Sequence, residues 1–260
     1  MNKVKKESFY YSLSVLSVVL LLAGWWFASV TNESLAGPAE AVERFFRLIE
    51  NPVMDKPVHV HILASMRRIL VAFAAASVVG VSLGVCFGIF PVFRRMFWPV
   101  FCILRPIPPL AWIPIVILWF GVTGDTSKNI IIFIGIVMAI VINTYASIRE
   151  TDPLLLKAGK TLGANKWQTL VHITLPDSIP AIFAGMKTGL STGWMSVVAA
   201  EMIAAKEGIG FLINMSMKTT PDTALDFVGI VLVALCSSLV SFILTVIERK
   251  LCPWLRLDAE

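Results

Sequence analysis

Residues 11–30 make an unbroken run of twenty uncharged, mostly apolar residues. At about 1.5 Å per residue, a helix of that length crosses the roughly 30 Å hydrocarbon layer of a bilayer. The preceding MNKVKK segment is basic. A cleavable signal peptide has an apolar core of only about 7–15 residues, so the run reads as a retained first span. Similar runs recur along the chain. Hydrophobic residues make up 57% of the 260 and charged ones 15%, well below the roughly one quarter of a soluble domain. The bilayer is the solvent for most of this chain.

Six spans are expected: 11–30, about 68–90, about 97–120, 130–148, about 179–200 and 227–247. In lipid every backbone group must be satisfied internally, so each reads as a helix and the fold class as all-α, one membrane domain over 1–260. The net charge of +5 does not point to nucleic acid, because the basic residues sit in short clusters between apolar runs, without aromatic interleaving. Their distribution sets orientation instead. With a cytoplasmic N-terminus, the inner segments hold twelve Lys and Arg against six outside, or eight if Arg67 and Arg68 are counted. Both termini are expected in the cytoplasm.

Between the first two spans, residues 31–61 are polar. Ala41, Val42, Phe45, Phe46, Leu48 and Ile49 fall there at helical spacing, which predicts an amphipathic helix on the outer surface. His59 and His61 form an H-x-H pair that reads as an ordinary loop feature, not a metal site. Cys86, Cys102, Cys236 and Cys252 lack metal-like spacing and read as unpaired thiols, three of them in apolar segments. With His172, the three histidines are scattered outside the expected spans, and no clustered nucleophile, base or metal set suggests an enzyme.

Two stripes of small residues, Gly80/Gly84/Gly88 and Gly185/Gly189/Gly193, repeat every four residues and let another helix approach closely. They serve either packing within one subunit or, for the second stripe, a translocation or dimer face. The segment RPIPPLAWIP carries Arg105, Pro106, Pro108, Pro109 and Pro114. Prolines without amide donors break a regular helix there. The segment either lines a path at the start of the third span or makes a cytoplasmic turn. In the fifth span, Ser191 and Trp194 are candidate path residues. Lys187 near its inner end can snorkel, and Glu201 near its outer end, followed by Gly208 and Gly210, suits an outer gate.

Residues 149–178 read as a basic helical hairpin facing the cytoplasm. Asp152-Pro153 starts one helix, Gly163 supplies the turn, and a second helix from about Lys166 ends before Leu175-Pro176. The string AGKT within it resembles the end of a phosphate-binding loop, but Leu154 stands where that motif needs its first glycine and the surroundings read as helix. No nucleotide site is expected.

The hairpin resembles the E-A-A-x3-G-x9-I-x-L-P signature of binding-protein-dependent ABC importer permeases. Lys157, Ala158, Gly159, Gly163, Ile173, Leu175 and Pro176 occupy its positions with the spacing kept, and Leu162 precedes its invariant turn. Lys157 replaces the signature's Glu and Gly159 its second Ala. The strings SMRRILVAFAAASVVGVSLG, RPIPPLAWIPIVILWFG, LVHITLPDSIPAIFAGMKTGLSTGW and VVAAEMIAAKEGIGF are similar to the nitrate, sulfonate and taurine branch. That resemblance implies a type I importer permease fold in the bacterial inner membrane, with residues 149–178 as coupling helices. It implies a second permease copy, a periplasmic or lipid-anchored solute-binding protein, and a cytoplasmic ATPase dimer that holds the ATP and Mg. The chain itself is expected to bind no cofactor, and the substrate to be a small anion such as a sulfonate or nitrate. A neutral heterocycle as substrate, or a secondary active transporter, are the alternatives. The latter would show inverted repeats and mid-span charges, which are scarce here.

Overall fold

The computed structural model describes residues 3–32, 34–53, 56–122, 124–218 and 222–253. Its helices in chain order are α1 (Lys3–Thr31), α2 (Pro38–Glu50), α3 (Val58–Ile89), α4 (Pro91–Leu104), α5 (Ile113–Phe120), α6 (Thr126–Glu150), α7 (Pro153–Thr161), α8 (Lys166–Thr169), α9 (Leu175–Ala204), α10 (Ile209–Lys218) and α11 (Thr223–Leu251). A 3-10 turn, Pro109–Trp112, leads into α5, and a π-helical turn, Leu170–Thr174, joins α8 to α9. The only β pairing among the described residues is a lone bridge between Val53 and Lys56.

The bundle is organised around α6, packed between α3 and α9. Its side chains Ile132, Ile136 and Ile140 are wholly buried. Both glycine stripes grip this one helix from its two sides. A Cβ on Gly80 would lie 2.8 Å from Ile140, and one on Gly84 would lie 2.5 Å from Thr144. On α9, a Cβ at Gly189 would lie 2.9 Å from the Ile136 carbonyl oxygen. Both stripes therefore serve packing inside one chain. Lipid supplies no hydrophobic drive between helices, so close backbone approach supplies dispersion contact instead. The residue pairs ascend together along α3 and α6 and oppositely along α9. The N-termini of α3 and α6 therefore share one end of the bundle with the C-terminus of α9.

Among the described residues four helices are long and apolar enough to cross a membrane: Ser12–Thr31, Val58–Ile89, Thr126–Glu150 and Thr223–Leu251. A bent pair, Pro91–Leu104 with Pro109–Phe120, raises the number to five if counted as one span. Two expectations change here. The third span is bent by 90° at residues 105–108, near its middle and not at its start. Three prolines within four positions leave no run of amides to continue α4. The fifth expected span lies in α9, a 30-residue helix too polar to meet the same measure. Its residues Ser178, Gly185, Gly189, Gly193, Ser196 and Glu201 are buried within the chain. Lys187 does not simply snorkel, since it pairs with Glu248 of α11.

The second span also begins earlier than expected, at Val58, so His59 and His61 belong to α3 and not to a loop. Helix α2 is amphipathic as its spacing predicts, with Ala41 and Leu48 buried and Val42, Phe46 and Ile49 exposed. It is tied to α11 by a 2.6 Å ion pair between Arg44 and Asp222. The apolar stretch of α1 buries nothing inside the chain. One polar tether is the Trp25 indole, which donates to the Ala36 carbonyl at 3.0 Å. All four cysteines are free.

Candidate functional site

The 90° bend opens a cavity of about 520 Å³ between the proline segment, α6 and α9. Arg105 and Pro109 form one wall, Gly135, Met138 and Asn143 of α6 a second, and Thr188, Thr192 and Ser196 of α9 a third. The Thr192 hydroxyl crosses between helices to donate to the Gly135 carbonyl at 2.7 Å. Irregular backbone at membrane depth is tolerable where it faces such a cavity or protein.

Of the candidate path residues, Arg105 and Pro109 line this cavity and Ser191 and Trp194 do not. Ser191 is exposed on the flank of α9, its hydroxyl donating to the Lys187 carbonyl at 3.2 Å. Trp194 is buried in the core with Ile69 and Ile136. The residues that sequence reading missed, Thr188, Thr192 and Ser196, each follow a stripe glycine by three positions. That offset is the signal: where one face of a helix is glycine against a neighbour, a polar ladder a few residues on faces the opening.

At the end of the bundle where α3 and α6 begin, a second cluster surrounds Glu201, which is 0% exposed. Arg68 donates to its Oε1 at 2.7 Å, the Ser65 hydroxyl lies 2.8 Å from both carboxylate oxygens, and the Gly210 amide donates to Oε2 at 3.0 Å. Arg68 also donates to Asp125 at 2.8 Å and to the Glu207 carbonyl at 2.8 Å. Lys56 reaches the Glu207 carboxylate at 2.6 Å, and Arg67 pairs with Asp125. Gly208, with φ +130, donates its amide to His61 Nδ1 at 3.2 Å. Five segments thus meet on one buried guanidinium-carboxylate pair. Burial pushes the Asp125 carboxyl up, but Arg68 and Arg67 outweigh it and hold the group below its ordinary range. Glu207 is likewise held low, chiefly by its hydrogen bond from Lys56. Glu201 is not part of the cavity wall.

At the opposite end lies the hairpin. The Asp152 side chain accepts from the Leu154 amide and caps α7, as the sequence predicts. Helix α7 then ends on Gly163 at φ +78. The Gly163 amide donates to the Lys160 carbonyl and the Ala164 amide to the Gly159 carbonyl, both at 3.0 Å, which is a Schellman ending. Asn165 caps α8 reciprocally with Gln168. The AGKT string is helical, within or directly at the end of α7. Gly159 is buried beneath Ile173, whereas Lys157, Ala158 and Leu162 are exposed.

One expectation fails at this end. The second hairpin helix does not stop before Leu175-Pro176. A π turn absorbs the irregularity: the Leu175 amide donates to the Leu170 carbonyl, and the missing amide of Pro176 falls directly after this widened turn. The chain is helical without a break from Lys166 to Ala204.

Among the described residues no group of three or more His, Cys, Asp or Glu could hold a metal ion. The cavity thus lies inside a helical bundle, with one wall continuous with the hairpin at the bundle's end. Known proteins resemble this chain over most of its length. The taurine transport system permease protein TauC of Escherichia coli K12 is 32% identical over 248 residues, covering 94% of this chain and 90% of that protein. The nitrate import permease protein NrtB of Synechocystis is 34% identical over 244 residues, covering 88% of each. In fold, a chain of the MetNI methionine ABC transporter, in an inward facing conformation, matches at TM-score 0.61 and 18% identity, covering 74% of this chain and 94% of its own.

The chain belongs to the family of binding-protein-dependent transport system inner membrane components, whose pattern it matches over residues 76–252. It is a permease subunit of an ABC importer, with the type I importer permease fold.

Proposed function

We propose that this subunit carries a small anion, a taurine-like sulfonate or nitrate, across the bacterial inner membrane through the cavity at Arg105. The observation that carries the coupling half of this reading is the unbroken helix from Lys166 to Ala204, which is at once the second half of the hairpin and the Thr188–Ser196 wall. A displacement of the hairpin is transmitted to the cavity along one continuous helical run, the lever that alternating access requires. The anion half rests on the two relatives named for taurine and nitrate and on the cationic side chain in the wall.

In this reading residues 149–178 dock on a cytoplasmic ATPase dimer through Lys157, Ala158, Leu162, Gly163 and their neighbours. ATP and Mg sit on that partner, and this chain binds no cofactor and performs no bond chemistry. Both termini are cytoplasmic, residues 31–61 lie outside, and a periplasmic or lipid-anchored binding protein delivers the solute. A second copy closes the open side of the cavity, where Met195 is 72% exposed, and lipid surrounds the remainder. The cluster around Glu201, Gly208 and Gly210 acts as the outer latch.

Reconstitution of the subunit with its ATPase and binding protein in liposomes tests this. Expected are ATP-dependent anion uptake and solute-stimulated hydrolysis, with none from the isolated subunit. Intrinsic hydrolysis by the subunit overturns the reading, and uptake driven by an ion gradient without the ATPase restores the secondary transporter.

A further inference from the structure

Arg105 is the only ionisable side chain among the sixteen residues lining the cavity. Among the described residues no carboxylate pairs with it. Arg105 is exposed and shares the cavity with residues 134–143 of the spanning helix α6, where an unpaired charge is costly. The rest of the wall is poor in donors facing the opening. Pro106, Pro108 and Pro109 have no amide to offer, and the amides of Arg105 and Ile107 are spent on the carbonyls of Phe101 and Leu104. The three hydroxyls of α9 have also committed their protons. Thr188 donates to Ala184, Thr192 to Gly135 and Ser196 to Thr192, at 3.0, 2.7 and 3.0 Å. A hydroxyl whose proton is committed presents only lone pairs. Asn143 gives one amide proton to the Ala139 carbonyl at 2.8 Å and keeps one donor and its own carbonyl.

The cavity is thus polarised. One wall carries a single delocalised cation with a forked set of donors, suited to two oxygens of one oxyanion. The facing wall, on α9, is a ladder of acceptors. Its volume lies within the about 300–1,000 Å³ of small-molecule sites. One fork also suits a transport site, which must hold its solute weakly enough to release it.

We propose that Arg105 is the specificity-determining residue of the cavity, holding the oxyanion end of the solute while the hydroxyls of Thr188, Thr192 and Ser196 accept from an N–H group at its other end. The favoured class is a short aminoalkanesulfonate, ahead of an anion that can only accept, such as nitrate. This rests on the anion-import reading above and selects within it.

The test uses the reconstituted complex with one saturating binding protein and reads solute moved per ATP hydrolysed, a ratio insensitive to how much complex assembles. The probes are taurine, ethanesulfonate and nitrate. The wild type is expected to move taurine with the highest ratio. Arg105→Gln is expected to lower the taurine ratio tenfold or more, and Thr188→Val to lower it several-fold while leaving ethanesulfonate within twofold wherever ethanesulfonate is moved. If Arg105→Gln does not assemble, Arg105→Lys, which keeps the charge and loses the fork, is expected to lower the taurine ratio several-fold. A taurine ratio unchanged in the assembling Arg105 variant, or nitrate moved as well as taurine by the wild type, overturns the assignment and leaves anion import standing. A taurine ratio unchanged in Thr188→Val overturns the acceptor wall. A wild type that moves none of the three overturns the anion-import reading itself.

Discussion

The backbone of Gly208 passes so close to the Glu201 carboxylate that no side chain fits between them. A Cβ at Gly208 would fall on the carboxyl carbon and both its oxygens, and the residue's φ of +130 is one that L side chains rarely adopt. The turn after α9 is therefore folded onto a buried charge, and both are fixed by Arg68.

This separates two glycines that look alike in sequence. Gly163 also has a positive φ, +78, but nothing lies within 4 Å of its Cβ position. Gly163→Ala is expected to cost about 1–2 kcal/mol, the left-handed backbone penalty alone. Gly208→Ala is expected to cost more, because it also displaces a buried carboxylate from its donors. Thermal unfolding in detergent checks the order: a smaller loss of midpoint for Gly208→Ala than for Gly163→Ala contradicts it.

Arg68 and Glu201 should be strongly coupled. Removing one partner of a buried pair leaves the other uncompensated, at about 3–5 kcal/mol. Arg68→Met and Glu201→Leu are each expected to unfold the subunit or lower its midpoint steeply. The double variant is expected to recover part of the loss, although Asp125 then keeps only Arg67 and the Gly210 amide lacks its partner. Simple additivity in a double-mutant cycle argues against the clamp.

The same end of the molecule carries an acid sensitivity. Asp125 and Glu207 titrate lower in the folded protein than as free side chains, so the folded state binds fewer protons. Their stabilisation is complete above the ordinary carboxyl range of about 4 and is lost as pH falls through the folded values. The unfolding midpoint is expected to be flat in this respect above about pH 5 and to drop below it. Lys56→Ala removes the main cause at Glu207, so its midpoint should lie lower near neutrality and fall less steeply in acid. Parallel curves for the two proteins refute this.

What was legible in the sequence follows the strength of local signals. Asp152 began a helix and Gly163 ended one where their chemistry requires, because caps depend on neighbours a few residues away. The glycine stripes announced close packing but not its partner, since Gly80 and Gly189 meet the same α6 from sites over a hundred residues apart. Trp194 misled because an indole is as suited to a core as to a path, and only its burial in the core decides. The Arg68–Glu201 pair was invisible for the same reason: 133 residues separate its members, and Arg68 read as the mouth of a span, not its buried anchor. The bend at residues 105–108 was half legible. Prolines signal a break, but they do not encode its 90° angle.

The hairpin gives the prediction that bears most directly on coupling. Leu162 is 87% exposed and Trp167 71% exposed, on either side of the Gly163 turn. Large apolar side chains in that position contribute little to the subunit's own stability, and exposed aromatic anchors are the residues that dominate interfaces when covered. Lys157, Lys160 and Lys166 surround them with positive charge, which favours an acidic rim on whatever covers the tip. Trp167→Ala and Leu162→Ala are expected to leave the unfolding midpoint of the isolated subunit within a degree or two of wild type, while at least one lowers recovery of the ATPase in co-purification tenfold or more. Loss of midpoint in step with loss of the ATPase would mean that these side chains hold up the hairpin and do not dock it. The continuous helix to Ala204 makes a further distinction available. A variant that keeps the ATPase bound yet hydrolyses ATP without moving solute places the defect in the lever, and inserting two glycines between Gln168 and Thr169 should produce that behaviour by breaking the helix that joins tip to cavity.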